Sequence, residues 1–165
     1  MFDWSTAEAT GSFGCPTSER EAGVSPRVAR VLIVDDREIS RRICAAFCDL
    51  FNLECECVRS GAAAIEAMRQ AHFDVVLMDI HMPGMSGVDA ALGIRALAAP
   101  AGRVPIIAVT ADASPAECAG YLAVGMADIV PKPITPSRLF KAITEAVGAE
   151  RPAEPRSWAA TAAAG

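Results

Sequence analysis

The chain has 165 residues, 52% of them apolar, with 15 Lys plus Arg against 20 Asp plus Glu and a net charge of −5. That suits one core of roughly 100–150 residues with short extensions. The acidic balance, without any basic cluster, argues against a nucleic-acid face. No apolar run approaches the ~20 residues of a membrane helix and residues 1–25 lack the segments of a secretory signal, so we expect a cytoplasmic protein with neither DNA nor membrane as partner.

Residues 1–27 mix Ser, Thr, Gly, Pro and Ala without periodicity and read as a flexible arm ending near residue 28. Phe2, Trp4 and Phe13 lie in it, although such segments are usually poor in aromatics. Residues 30–34 (RVLIV) form a continuous apolar run, the pattern of a strand buried on both faces, and end in Asp35 and Asp36. Residues 38–51 follow as a helix, with Ile39, Ile43, Phe47 and Leu50 at helical spacing. Residues 54–58 are a short second strand. Of the cysteines, Cys44 and Cys48 fall at i and i+4 on that helix, and Cys55 and Cys57 on one face of the strand. A four-thiolate zinc site is one reading. Structural zinc ligands usually come from knuckles and loops, which favours reduced thiols acting as small hydrophobes.

Ser60 caps a helix carrying Ala64, Ile65 and Met68, and residues 74–79 (DVVLMD) are another buried strand, again ending in a carboxylate. Ser86 to Asp89 opens the next helix as a capping-box variant. Residues 104–110 (VPIIAVT) are the fourth strand. Ser114-Pro115-Ala116-Glu117 combines an N-cap serine, a proline at the first helical position and a glutamate at the third. Residues 128–130 are the fifth strand; the last helix runs from Thr135-Pro136 to Val147, with Gly148 as its stop. Residues 149–165 are an Ala/Pro-rich tail containing Trp158. Strands alternating with helices predict an α/β domain over residues 29–148 with a parallel sheet.

In open parallel sheets, ligands bind beyond the carboxyl ends of the strands, where strand order reverses. Those ends carry Asp35 and Asp36, then Asp79, then Thr110, and Lys132 just past the fifth strand. Taken singly these are weak signals: an Asp there is often a cap, and a Thr is an ordinary strand residue. Together they converge on one rim. Three carboxylates held close repel and raise one another's pKa unless something cationic joins them. A hard divalent ion fits, Mg²⁺ best, because it binds through a few carboxylates and keeps room for a phosphoryl oxygen.

Val34-Asp35-Asp36, the run Met78-Asp79-Ile80-His81-Met82-Pro83-Gly84-Met85-Ser86-Gly87, Thr110-Ala111 and Lys132-Pro133 resemble the receiver domains of bacterial two-component systems, over about residues 29–147. The resemblance implies a doubly wound (βα)5 fold of flavodoxin-like strand order 2-1-3-4-5. It implies a phosphoacceptor at Asp79 and Mg²⁺ held by Asp35, Asp36, Asp79 and the backbone carbonyl of His81. Thr110 and Lys132 would contact the phosphoryl group, and the Lys132-Pro133 bond would be cis. The donor would be a histidine kinase or histidine phosphotransfer protein, met through Arg37, Ile39, Ser40, Ile43 and Pro133. His81 and Asp112 would flank the hydrolytic water and tune the phosphoryl lifetime. Output would come through protein contact, phosphorelay or a homodimer on the face of the last strand and its flanking helices. A self-modifying signalling domain is implied, not a turnover enzyme.

One departure stands out. Many receivers carry an aromatic three residues before the lysine, and here that position is Ile129. Three other readings fit less well. A magnesium phosphohydrolase of the dehalogenase type carries its nucleophile on the first strand in a DxD arrangement, and a flavin or nucleotide module needs a phosphate loop there, which Asp-Asp-Arg-Glu would repel. A pseudo-receiver or phosphate sink would keep the fold but not the output.

Overall fold

The computed structural model describes residues 28–148. Both arms, with their aromatics and Cys15, lie outside the described residues. The elements are β1 Arg30–Val34, α1 Glu38–Leu50, β2 Glu54–Val58, α2 Gly61–Gln70, β3 Val75–Asp79, α3 Gly87–Arg95, a 3-10 turn Ala101–Arg103, β4 Ile106–Thr110, α4 Pro115–Ala123, β5 Asp128–Pro131 and α5 Pro136–Val147. The five strands pair in parallel, in the order β2-β1-β3-β4-β5.

Burial explains the order. Every residue of β3 and β4 is buried, and β1 is buried after its first residue. Such strands belong in the middle of a sheet covered on both faces. The edge strands are less covered: no residue of β2 is fully buried and Glu54 and Cys57 are exposed, and β5 exposes Pro131. Alternate residues feed two cores. Leu32, Val34, Val76, Met78, Ile106 and Ala108 meet α2, α3 and α4; Val31, Ile33, Val75, Leu77, Ile107 and Val109 meet α1 and α5. The period of two thus sorts one strand's side chains between two helical layers.

Two local expectations change. Of the four apolar positions read on α1, Phe47 and Leu50 pack partly buried against the core, whereas Ile39 and Ile43 are 75% and 42% exposed; the fully buried positions are Cys44 and Cys48, continued by Phe51. Residues 44, 48 and 51 recur at helical spacing, and each helical residue turns about 100° from the last, so the position before Cys44 faces away. The cysteines therefore serve as core: burial pushes the Cys44 thiol up to about 12 and raises that of Cys48 as well, whereas thiolate is the metal-binding form. Cys55 is half-buried and Cys57 exposed.

The second change concerns caps. Ser60 and Ser86 accept from Ala63 N–H and Asp89 N–H as expected, and Ser86 also donates to the Asp89 carboxylate at 2.7 Å. Ser114 holds the N-cap position of α4 without a side-chain bond. Its own N–H donates instead to the Asp112 carboxylate at 3.0 Å, so Asp112 fastens the loop entering α4.

Candidate functional site

The switch point lies between β1 and β3, because β2 leaves β1 on one side and β3 to β5 run off on the other. Asp35 follows β1 and Asp79 ends β3, two strands in direct register, with Val34 opposite Met78. Adjacent strands are ~4.8 Å apart, so the topology alone juxtaposes these carboxylates. One ligand oxygen from each of Asp35, Asp36 and Asp79 lies within 4.8 Å of the others. Among the described residues this is the one such group of His, Cys, Asp or Glu; the four cysteines do not converge in this way.

Lys132 enters from beyond β5. Its ammonium is 3.0 Å from Asp35 Oδ2 and 3.1 Å from Asp79 Oδ1, and both carboxylates are almost fully buried. Burial raises the pKa of Asp79, and the Asp35 charge adds to that, while Lys132 opposes it. Burial likewise works against the charge on Lys132, but the two carboxylates more than offset it and raise its pKa. One ammonium thus serves two carboxylates. Thr110, fully buried at the end of β4, donates its hydroxyl to the Asp112 carbonyl and accepts from Asp112 N–H, both at 3.1 Å. Its carbonyl receives the Lys132 N–H at 2.7 Å, which ties the β4 and β5 ends together just before the cis Lys132-Pro133 bond.

Asp35, Asp36, Asp79 and Lys132 therefore lie together, and Thr110 joins them through its backbone bond to Lys132. His81 also belongs here, its N–H reaching Asp79 Oδ1 at 3.4 Å, with the imidazole exposed. Two partners escaped the sequence reading. The Arg41 guanidinium donates to the carbonyls of Asp35 and Asp36 at 2.8 and 3.0 Å, and Lys132 pairs with Asp35 as well as Asp79. An arginine one turn into a helix has no spacing rule that marks it. A hollow of about 430 Å³ beside Phe73 and Leu97 lies apart from this chemistry and holds none of these residues.

Mg²⁺ suits these residues on a structural test. Asp36 Oδ1 is buried without a hydrogen-bond partner, and an unpaired buried carboxylate oxygen is costly unless a cation faces it. We expect Mg²⁺ at 100 times its Kd to stabilise the fold by about 2.7 kcal/mol, read as a rise in Tm over an EDTA control. Asp36→Ala should remove that rise, and an undiminished rise would rule out Asp36 as a ligand.

The response regulator receiver domain profile matches residues 31–144. The sensor protein GacS of Pseudomonas syringae is 37% identical over 127 residues, which is 76% of this chain but 14% of that protein. An autoinducer 2 sensor kinase/phosphatase, LuxQ of Vibrio vulnificus, is 32% identical over 75% of this chain and 14% of its own length. The chain thus spans about one-seventh of these curated relatives. Among solved structures, a Vibrio cholerae chemotaxis protein superposes with a TM-score of 0.68 at 28% identity, covering 73% of this chain and 99% of its own. The receiver domain of a Pseudomonas aeruginosa sensor histidine kinase, with magnesium in its active-site cleft, gives 0.67 at 28%, covering 74% and 99%.

Proposed function

Because the chain belongs to the response-regulator receiver family, we propose that it takes a phosphoryl group onto Asp79 from a phosphohistidine donor, with Mg²⁺ held by Asp35, Asp36, Asp79 and the His81 carbonyl. The observation that carries this reading is the shared ammonium: Lys132 reaches both Asp35 and Asp79. An Asp79 carboxylate held by an ammonium that it shares with Asp35 is placed to act as nucleophile.

An Asp79 oxygen attacks phosphorus while the phosphorus–nitrogen bond to the donor imidazole breaks, its electron pair leaving with the nitrogen. The protein's share is positioning and charge neutralisation. Mg²⁺, when bound, offsets negative charge on the phosphoryl oxygens. Lys132 passes from Asp79 to the phosphoryl group while keeping Asp35. Thr110 turns its hydroxyl from Asp112 to a phosphoryl oxygen, and the added charge of about −1.5 to −2 moves the 110–114 loop with it. Asp112, which anchors that loop, and the exposed His81 flank the route of hydrolytic water. His81→Ala should change the dephosphorylation rate several-fold, and equal rates would discard that role.

For the donor, a histidine kinase or histidine phosphotransfer protein, the exposed Ile39 and Ile43 beside Arg37, Ser40 and Pro133 offer an apolar contact next to the site. Output then passes by protein contact, onward phosphorelay or a homodimer through α4, β5 and α5. The direct test is incubation with acetyl phosphate and Mg²⁺ followed by mass spectrometry. One phosphoryl adduct should form and be absent from Asp79→Asn. An adduct that persists in Asp79→Asn, or none under any donor, would end this reading.

A further inference from the structure

The two cations at this site do different work. Lys132 occupies carboxylate oxygens, Asp35 Oδ2 at 3.0 Å and Asp79 Oδ1 at 3.1 Å. Arg41 spends its Nη1 on backbone instead, donating to the carbonyls of Asp35 and Asp36 at 2.8 and 3.0 Å. Both carbonyls lie between the end of β1 and the start of α1, outside the repeating bonds of strand and helix. A peptide unit is planar, so holding its carbonyl fixes the whole plane. The Asp35 and Asp36 carbonyls belong to the two planes that flank the Asp36 Cα. With one nitrogen holding both, φ and ψ of Asp36 are set, and with them the direction of its Cα–Cβ bond. Arg41 is itself anchored, because its N–H donates to the Arg37 carbonyl at 3.2 Å in the first turn of α1. The neighbouring carboxylate is held otherwise: Asp35 takes the Arg37 N–H on Oδ1 at 2.8 Å and Lys132 on Oδ2. Asp36 Oδ1 is buried and takes nothing, so the backbone, not a side-chain partner, aims it.

We propose that Arg41 is a positioning residue for the magnesium site: by holding the two peptide planes around Asp36, it keeps the unpartnered Asp36 oxygen in place before the ion arrives. This rests on Mg²⁺ being held by Asp35, Asp36 and Asp79. Groups that orient a metal ligand from behind are typically worth about 10–100-fold in affinity. Charge alone predicts the opposite sign. A guanidinium beside the site repels a divalent cation, so its removal would tighten binding if Arg41 acted only through its charge. Arg41 makes no hydrogen bond to Asp79 or Lys132. Its contribution therefore falls on taking up the ion, and the chemistry at Asp79 is left to the groups around that carboxylate.

Calorimetric titration of the full chain with Mg²⁺ at constant ionic strength reads this directly. In Arg41→Met, which keeps an apolar stem and loses the donors, Kd should rise at least about tenfold. Arg41→Lys keeps the charge on a stem one atom shorter that cannot span both carbonyls, and its Kd should rise about threefold or more. That variant decides alone if Arg41→Met does not fold. Acetyl phosphate then separates positioning from general damage. With Mg²⁺ at about ten times each variant's own Kd, adduct formation on Asp79 should return to within about threefold of the wild-type rate. A Kd unchanged or lowered in either variant overturns the proposal while leaving the metal site intact. So does a rate still about tenfold down at saturating Mg²⁺, the mark of reacting groups displaced throughout the site. A wild-type chain that takes up no Mg²⁺ overturns both the proposal and the metal site.

Discussion

Lys132→Met should destabilise the metal-free protein by about 3–5 kcal/mol at neutral pH, the usual cost of stripping the partner from a buried charge. Here two carboxylates lose it at once, Asp35 and Asp79, with side chains 5% and 4% exposed. Methionine keeps the apolar stem and removes only the ammonium. The pH dependence follows from Asp79, whose folded pKa is raised by burial from its ordinary 3.8 even with Lys132 in place. A carboxyl raised in the fold binds more protons folded than unfolded, so stability falls as pH climbs from the unfolded value through the folded one. Without Lys132 that folded value rises further, and the penalty is full above it and absent below 3.8. The lysine's own raised pKa acts at the other end. Its contribution is whole below 10.5 and is lost as pH rises through the folded value. Urea unfolding in EDTA should thus show a gap between wild type and variant that narrows from pH 8 to pH 4.5. A gap of constant width, or one below about 1 kcal/mol at neutral pH, where only surface pairs belong, would refute the shared-ammonium description. Phosphorylation by acetyl phosphate should drop about a hundredfold, in line with removal of a preorganised charge from a reacting site.

The residues meeting at this site could be read from the sequence for a topological reason. Parallel strands all deliver their carboxyl ends to one edge, so Asp35, Asp36, Asp79, Thr110 and Lys132 needed only to be placed at strand ends to be brought together. The strands were readable because residues 31–34 and 75–78 are unbroken apolar runs, each followed directly by a carboxylate. Reading failed where the cause is three-dimensional. Ile39 and Ile43 have helical spacing, yet α1 turns Cys44 and Cys48 fully inward, one residue around the helix from Ile43. Ser114 has the letters of a capping box, but Asp112 reaches its N–H from outside the helix.

Gly87 joins the fold to the chemistry, and Gly87→Ala should damage both. Gly87 begins α3 and its N–H donates to the Ile80 carbonyl at 2.9 Å, turning the chain straight back onto the end of β3. A Cβ there would overlap the Asp79 carbonyl oxygen and lie 2.8 Å from Ile80 Cα. Both neighbours are backbone, so no side chain can swing aside; the end of β3 must move, and Asp79 with it. We expect a loss of about 1–3 kcal/mol, the range for overpacking, and about a hundredfold slower phosphorylation, since small misplacements of a reacting group cost that much. Gly84, three residues earlier, is the control. It sits at φ +83° with nothing within 4 Å of where a methyl would stand, so Gly84→Ala meets backbone strain alone, roughly 1 kcal/mol. That strain is confined to the loop, and phosphorylation should stay within a few-fold of wild type. Measured side by side, Tm and adduct rate should separate the two glycines. If Gly84→Ala proves the slower acceptor, contact between α3 and the end of β3 is not what holds Asp79 in place.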